Sequence, residues 1–284
     1  MTAPRILVVG SVNLDFVATA AKLPAPGETV TGAVLARHPG GKGANQALAA
    51  RRLGAEVALA ARVGRDAMAD EALALLRAEG VDLSGVSVDE DASTGVALIA
   101  VSADGENQII VASGANGTFA RAHVALTPAD AVICQLETPM ETVEAAMATQ
   151  GLFCINLAPA APTPDAIFAR ADLVVVNEGE AAFMGDRLNA TRGLVAITYG
   201  ARGAALFQHG REIHRAAPPP VTPVDTTGAG DAFVGALVVA LAEKQPPERA
   251  LRFACAAGAL AATRPGAQPS LPKRDSIEQL LLKC

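Results

Sequence analysis

The sequence predicts an α/β fold: a mostly parallel central sheet with crossover helices, carrying a small antiparallel appendage. Two observations predict it. From residues 5–10 almost to the C-terminus, short Val/Ile/Leu runs alternate with Ala/Leu-rich amphipathic stretches, the pattern of repeated strand–helix–strand units. Two segments, 13–36 and 94–112, break that alternation and hold no helical periodicity.

Taken in order, RILVVG at 5–10 opens the sheet, and further strands are expected at 57–61, 131–135, 153–156, 173–176 and 194–198. Helices are expected at 43–53, 66–79, 139–149, 229–242 and 247–263, each opening near a turn or cap residue. The polar residues just after the strands lie where a doubly wound sheet places its ligands. In the appendage, GVALIAVSADGENQIIVA reads as two strands around Asp104-Gly105, a specific hairpin signal, and PAPGETVTG marks a turn. Both segments are expected to form a lid, spanning about 12–37 and 93–113, on one domain covering residues 1–284; ordinary surface hairpins are the alternative.

Composition narrows the chemistry. Hydrophobic residues make up 51% of the 284 residues against 18% charged, enough for a large core and too little charge for extended disorder. The net charge is −6 with scattered Lys and Arg, which points away from nucleic acid and anionic lipid and toward small molecules. Cys134, Cys154, Cys255 and Cys284 form no CxxC pair, and the four histidines lack metal-ligand spacing. The longest apolar run, 232–242, is too short to span a bilayer, and the first residues lack the pattern of a signal peptide. A soluble, cytoplasmic protein is expected.

Four motifs carry chemistry. DTTGAGD at 225–231 runs into the apolar AFVGALVVALA. There Gly228, Ala229 and Gly230 can turn N–H groups inward at a helix start and form an anion hole, while Asp231 stands ready to take a proton from an attacking hydroxyl. An ordinary capped helix start is the competing reading. PGGKGANQ at 39–46 is not a Walker A loop, since Gly follows Lys42 where Ser or Thr is required; its glycines permit close approach of a compact polar ligand, with Lys42 and Asn45 as donors. Asn13 and Asp15 share one face at the end of the first strand, and Glu137 follows another strand. NEGE at 177–180 can hold a hydrated Mg²⁺ through its carboxylate or form a capping box with the same spacing; TYGARG at 198–203 offers contacts to nucleotide phosphates.

In this order, from GSVNLDF through GGKGANQA, NEGEA and DTTGAGDAFVGAL to RPGAQPSLP, the chain resembles the ribokinase family of sugar kinases over nearly its whole length. The resemblance implies a three-layer α/β/α domain with a β lid, ATP as phosphoryl donor, and ribose as acceptor, with deoxyribose, another sugar or a nucleoside as the alternatives. A catalytically silent sugar-binding regulator is a more distant one. By that resemblance Asn13, Asp15, Gly41, Lys42, Asn45 and Glu137 hold the sugar and Asp231 is the base. Asn177, Thr198, Gly200, Gly203, Gly230 and Cys255 face ATP, with Glu180 acting on Mg²⁺ through water. A monovalent cation site, K⁺ by preference, falls on Asp225, Thr227, Ala261, Arg264, Gly266 and Ser270, and a homodimer through the lid is expected. One departure stands out: the connection between Asn177 and Thr198 is short for this family, so the crossover there is expected to leave part of a sheet face exposed.

Overall fold

The computed structural model describes residues 2–283. Its first half runs β1 (Arg5–Val9), β2 (Asn13–Ala20), β3 (Val34–Gly40), α1 (Lys42–Arg52), β4 (Glu56–Gly64), α2 (Ala67–Ala78), β5 (Asp82–Asp89), β6 (Gly95–Ser102) and β7 (Asn107–Ala112). There follow β8 (Ala131–Cys134), α3 (Met140–Ala146), β9 (Leu152–Asn156), α4 (Asp165–Arg170), β10 (Leu173–Asn177), α5 (Glu178–Met184), β11 (Leu194–Thr198), β12 (Ala204–Gln208) and β13 (Arg211–Ala216). Four helices close the chain: α6 (Ala229–Ala242), α7 (Pro247–Ala261), α8 (Ala267–Ser270) and α9 (Arg274–Leu281).

The main sheet has the order β13-β12-β11-β10-β9-β8-β1-β4-β5. Its strands from β5 to β11 pair in parallel, and an antiparallel pair, β12 and β13, finishes one edge. Alternation along each strand feeds two separate cores. Ile6 and Val8 point into the layer of α1, α6 and α7, while Leu7 and Val9 point into the layer of α3 and α4. Strand β10 divides its residues the same way, Leu173 and Val175 to one side, Val174 and Val176 to the other. Near-continuous apolar strands are what a sheet covered on both faces requires, and the expected three layers follow. The six strands and five helices expected from the sequence are all present, with ends shifted by a few residues.

The appendage is a four-stranded sheet, β3-β2-β6-β7, and it corrects one expectation. It is mixed: β2 and β6 run parallel, with antiparallel partners outside them. The parallel pair arises because β2 leaves the main sheet beside β1 and β6 returns from β5, so both enter the lid in the same direction. The DG hairpin is present between β6 and β7, with Gly105 at φ 89°, in the left-handed region that suits glycine.

The crossover from β10 to β11 is short, as expected. It holds the seven-residue α5 and one 3₁₀ stretch, Gly185–Ala190. Met184 and Leu188 are buried on the sheet, but Phe183 is 56% exposed, and Ile197 and Phe207 beneath this edge are only partly covered.

Candidate active site

The site lies where the start of α6, the start of α1 and the ends of β8 and β9 converge. Gly228 caps α6 at φ 77°, and a Cβ there would lie 2.9 Å from the Cα of Ala267, so glycine is demanded twice. At Gly230 the same test meets only open space. The Ala229 N–H donates to the Thr226 carbonyl at 3.1 Å, so it is removed from the expected anion hole; a tight turn into the helix consumes it. Among the described residues no acceptor meets the N–H groups of Gly228 or Gly230, which leaves these two for an anion.

Asp231 sits in the first turn of α6, 8% exposed, with amides on both oxygens. Asn45 Nδ2 donates to Oδ2 and Gln46 Nε2 donates to Oδ1, each at 2.9 Å. Burial pushes its carboxyl above the usual range, while the Lys42 charge and the two amides pull it back. Burial is the largest of these influences, and Glu137 adds to it. Among the described residues no cation forms a salt bridge with this carboxylate.

The polar pocket beside it gathers most of the residues expected to hold a sugar. Asp15 is buried and raised to about 7, chiefly by burial and then by Glu137 and Asp231, with Lys42 opposing. Among the described residues no side-chain hydrogen bond reaches the Asp15 carboxylate. Glu137 accepts from Ser11 Oγ at 2.6 Å and from the Lys42 N–H at 3.0 Å, and the Lys42 ammonium lies 3.7 Å from its other oxygen. For Lys42 burial is the largest influence and works against its charge, but Asp231, Glu137 and Glu180 together hold it above its ordinary value. Asn13 Oδ1 accepts from Asn116 Nδ2 at 2.8 Å, and Asn116 also clasps both main-chain groups of Val12. Asn45 Oδ1 is buried without a partner.

The glycines of the 39–46 loop serve another purpose than the expected one. A Cβ on Gly40 would strike the Asp15 carboxylate, one on Gly41 the Asn13 nitrogen at 2.7 Å, and one on Gly43 the Ser11 nitrogen at 2.5 Å. They let α1 press against the end of β1 and the start of β2, and so set the pocket's walls. Gln46, Asn116, Gln135 and Asn156 were not singled out from sequence. Gln46 belongs to the motif and its register on α1, one residue past Asn45, was the available signal.

On the far side of α6 a cavity of about 840 Å³ is lined by Asn177, Thr198, Gly200, Gly203, Gly230 and Cys255, with Phe233 and the Pro219–Val221 region as apolar walls. All six residues expected to face ATP thus meet in one place. A Cβ on Gly203 would lie 2.0 Å from the Ala216 carbonyl, so this glycine keeps β12 against β13 and the cavity edge in shape. Cys255 is buried with its thiol pushed up to about 12 by burial, hence unreactive. Asn177 and Glu180 form the capping box: Oδ1 of Asn177 accepts from the Glu180 N–H at 2.8 Å, and Oε2 of Glu180 accepts from the Asn177 N–H at 2.7 Å. Among the described residues no donor meets Oε1 of Glu180.

Among the positions expected at the monovalent cation site, Asp225 organises the loop. One of its oxygens accepts from the Thr227 N–H and hydroxyl at 2.9 and 2.7 Å, the other from the Gly266 N–H at 2.8 Å. Ser270 donates to the Ala267 carbonyl, and the Ala261 carbonyl accepts the Arg264 N–H at 3.4 Å. The Arg264 and Ser270 side chains line a separate pocket of about 330 Å³. The described residues contain no group of three His, Cys, Asp or Glu able to hold a metal ion.

With this geometry established, comparison places the chain. The description "pfkB family carbohydrate kinase" fits residues 3–274. A ribokinase of Bacillus subtilis is 38% identical over 296 aligned positions, covering 98% of this chain and 99% of the relative. That alignment is longer than the 284 residues here, so the relative carries residues this chain lacks. Among solved structures, a Thermotoga maritima ribokinase matches with TM-score 0.91 at 32% identity, covering 98% and 99% of the two chains. An Arabidopsis thaliana ribokinase complexed with ribose and ATP matches with TM-score 0.83 at 31% identity and 99% coverage of both. A parallel sheet with a β lid, a glycine-rich helix start and a buried aspartate in its first turn accompany this likeness, and the chain belongs to the pfkB family of carbohydrate kinases.

Proposed function

We propose that this protein transfers the γ-phosphoryl group of ATP to the 5-hydroxyl of ribose. One observation carries the reading: Asp231, held by neutral amides, stands at the N–H-lined start of α6 between a small polar pocket and the large cavity. The pocket offers free acceptors on Asp15 and Asn45 and a cation on Lys42, a set suited to vicinal hydroxyls and short of the aromatic walls a base would stack on. The cavity, apolar on its walls and open to Gly230, suits a purine with its phosphates directed at α6.

In this mechanism Asp231 accepts the proton of the hydroxyl as its oxygen attacks phosphorus in line. The N–H groups of Gly228 and Gly230 oppose the charge that builds on the phosphoryl oxygens. The lid covers the sugar and keeps water from competing as acceptor. Glu180, with one oxygen unengaged, fits an Mg²⁺ that keeps its waters, and such an ion would neutralise phosphate charge when bound. Asp225, Thr227 and Gly266, drawn together with the carbonyl-rich turn at 261–270, fit K⁺ beside the anion hole.

Exposed apolar residues stand on both faces of the lid, Leu35, Leu98 and Ile110 on one and Val34, Ile109 and Val111 on the other, and this uncovered apolar area supports a homodimer through the lid. No helix among the described residues is long and apolar enough to cross a membrane, and Cys134, Cys154 and Cys255 are buried free thiols, which supports a reducing, cytoplasmic setting.

The decisive experiment is Asp231→Asn assayed for sugar-dependent ADP release across ribose, deoxyribose, fructose and nucleosides. Turnover is expected to fall by about 10² or more, the low end for a lost general base, with ribose affinity retained. Near-normal turnover would remove the base, and preference for another acceptor by the parent enzyme would replace ribose.

A further inference from the structure

A chain of three buried amides ends on Asp231, and its direction is fixed at the opposite end. The Val175 main-chain carbonyl can only accept, so Asn156, at the end of β9, must present Nδ2 to it, at 3.1 Å. That turns Asn156 Oδ1 toward α1, where Gln46 must answer with Nε2, at 3.0 Å. The second hydrogen of that nitrogen goes to Asp231 Oδ1 at 2.9 Å, and Gln46 Oε1 is left to accept from Gln135 Nε2 at 2.6 Å. Gln46 and Gln135 are wholly buried and Asn156 nearly so. The cost of the imposed direction falls on Gln135, whose Oε1 is buried without a donor against Gly10.

The other side of Asp231 is different. Asn45 donates to Oδ2, but its Oδ1 has no partner, so no anchor prevents this amide from turning over. A proton on Oδ2 can be accepted by a rotated Asn45. A proton on Oδ1 would meet an N–H that cannot withdraw without breaking the bonds to Asn156 and Gln135.

We propose that Gln46 is a positioning residue for phosphoryl transfer: anchored through Asn156 to the Val175 carbonyl, it holds Asp231 Oδ1 as a permanent acceptor and directs the sugar's proton to Oδ2. This rests on the reading of Asp231 as the base. By donating to the ionised form, Gln46 also sets the pH at which the base becomes available, against the charged groups that face it from elsewhere: Lys42 on α1, Glu137 beyond β8 and Asp15 on β2.

The test compares pH profiles of kcat/KM for the parent, Gln46→Met, Asn156→Leu and the double variant, with sugar affinity by calorimetry and folding by thermal melt. In Gln46→Met the acidic limb is expected to move upward by about one to two pH units, the loss of one hydrogen bond to a charged group. kcat is expected to fall, with ribose KM within about threefold of the parent. Asn156→Leu moves the limb less, because a released Gln46 still donates part of the time, and the double variant moves it no further than Gln46→Met alone. Should Gln46→Met not fold, the isosteric Gln46→Glu carries the test, with an upward shift at least as large. An unmoved limb in a folded Gln46 variant, with kcat reduced only in step with stability, overturns the proposal. Asp231→Asn assayed alongside separates the two failures: an inactive Asp231→Asn with an unmoved limb sinks the Gln46 role alone, whereas an active one sinks the base.

Discussion

Replacing Asp15 by Asn measures how much stability the chain gives up to keep a carboxyl in the sugar pocket. Burial, then the Glu137 and Asp231 charges, raise Asp15 from 3.8 to about 7 despite Lys42. A carboxyl that is less acidic when folded binds its proton more tightly in the native state, so stability falls as pH rises between those values. A shift of about three units at about 1.36 kcal/mol each amounts to a cost of about 4 kcal/mol. It is fully developed above about pH 8, is under about 2 kcal/mol at pH 5, and vanishes below about pH 3. Asparagine has the same shape and cannot ionise. Asp15→Asn is therefore expected to exceed the parent in stability by up to about 4 kcal/mol at pH 8, with the gain shrinking steadily toward acid. Urea denaturation midpoints for both proteins at pH 5, 6.5 and 8, with equal m-values, read this directly. A gain that is constant with pH, or a variant less stable at pH 8, would refute the reasoning. Ribose affinity should weaken about tenfold in the same variant, since an acceptor that strains the empty pocket is one that a sugar relieves.

Two further outcomes follow from the loop and the lid. Gly228→Ala must hold a side chain at φ 77° and within 2.9 Å of Ala267, so it is expected to cost about 1–3 kcal/mol in unfolding free energy and to weaken ATP binding measured by calorimetry, sparing ribose binding. Ile110→Lys, placing a charge on the lid face that also carries Leu35 and Leu98, is expected to shift light-scattering mass from dimer to monomer; an unchanged dimer would move the interface elsewhere.

Six strands of the main sheet and five helices were readable because each buries a full face, and burial on both sides writes itself as uninterrupted Val, Ile and Leu; β5, β12 and β13 were not among the expected strands. β5 escaped notice for the opposite reason: as an edge strand, DLSGVSVD is mostly polar and only partly buried. The lid's parallel centre could not be read from its strands, since β2 and β6 are distant in sequence and their direction is set by where each leaves the main sheet. β7, exposed along its whole length, carries Ile109, Ile110 and Val111 with no core beneath them.

The site was legible in its charged residues and its glycines, but for partly different reasons than those expected. Gly41 and Gly43 are required by contact between α1 and the β1–β2 turn, so a motif that reads as ligand-shaped is in the first place chain-shaped. The same packing brings Gln46 under Asp231, where two neutral amides, those of Asn45 and Gln46, do what a cation would do badly. An Arg or Lys against Asp231 would hold it ionised yet too weak a base to take a proton from an alcohol, whereas amides keep it oriented while burial keeps it basic. Amides carry no charge pattern and no spacing rule, so their arrangement appears only once α1, α6 and the ends of β8 and β9 are assembled. On the proposed function, the motif would join an anion hole and a base of opposite demands, one wanting positive potential and the other wanting little of it, within one turn of α6.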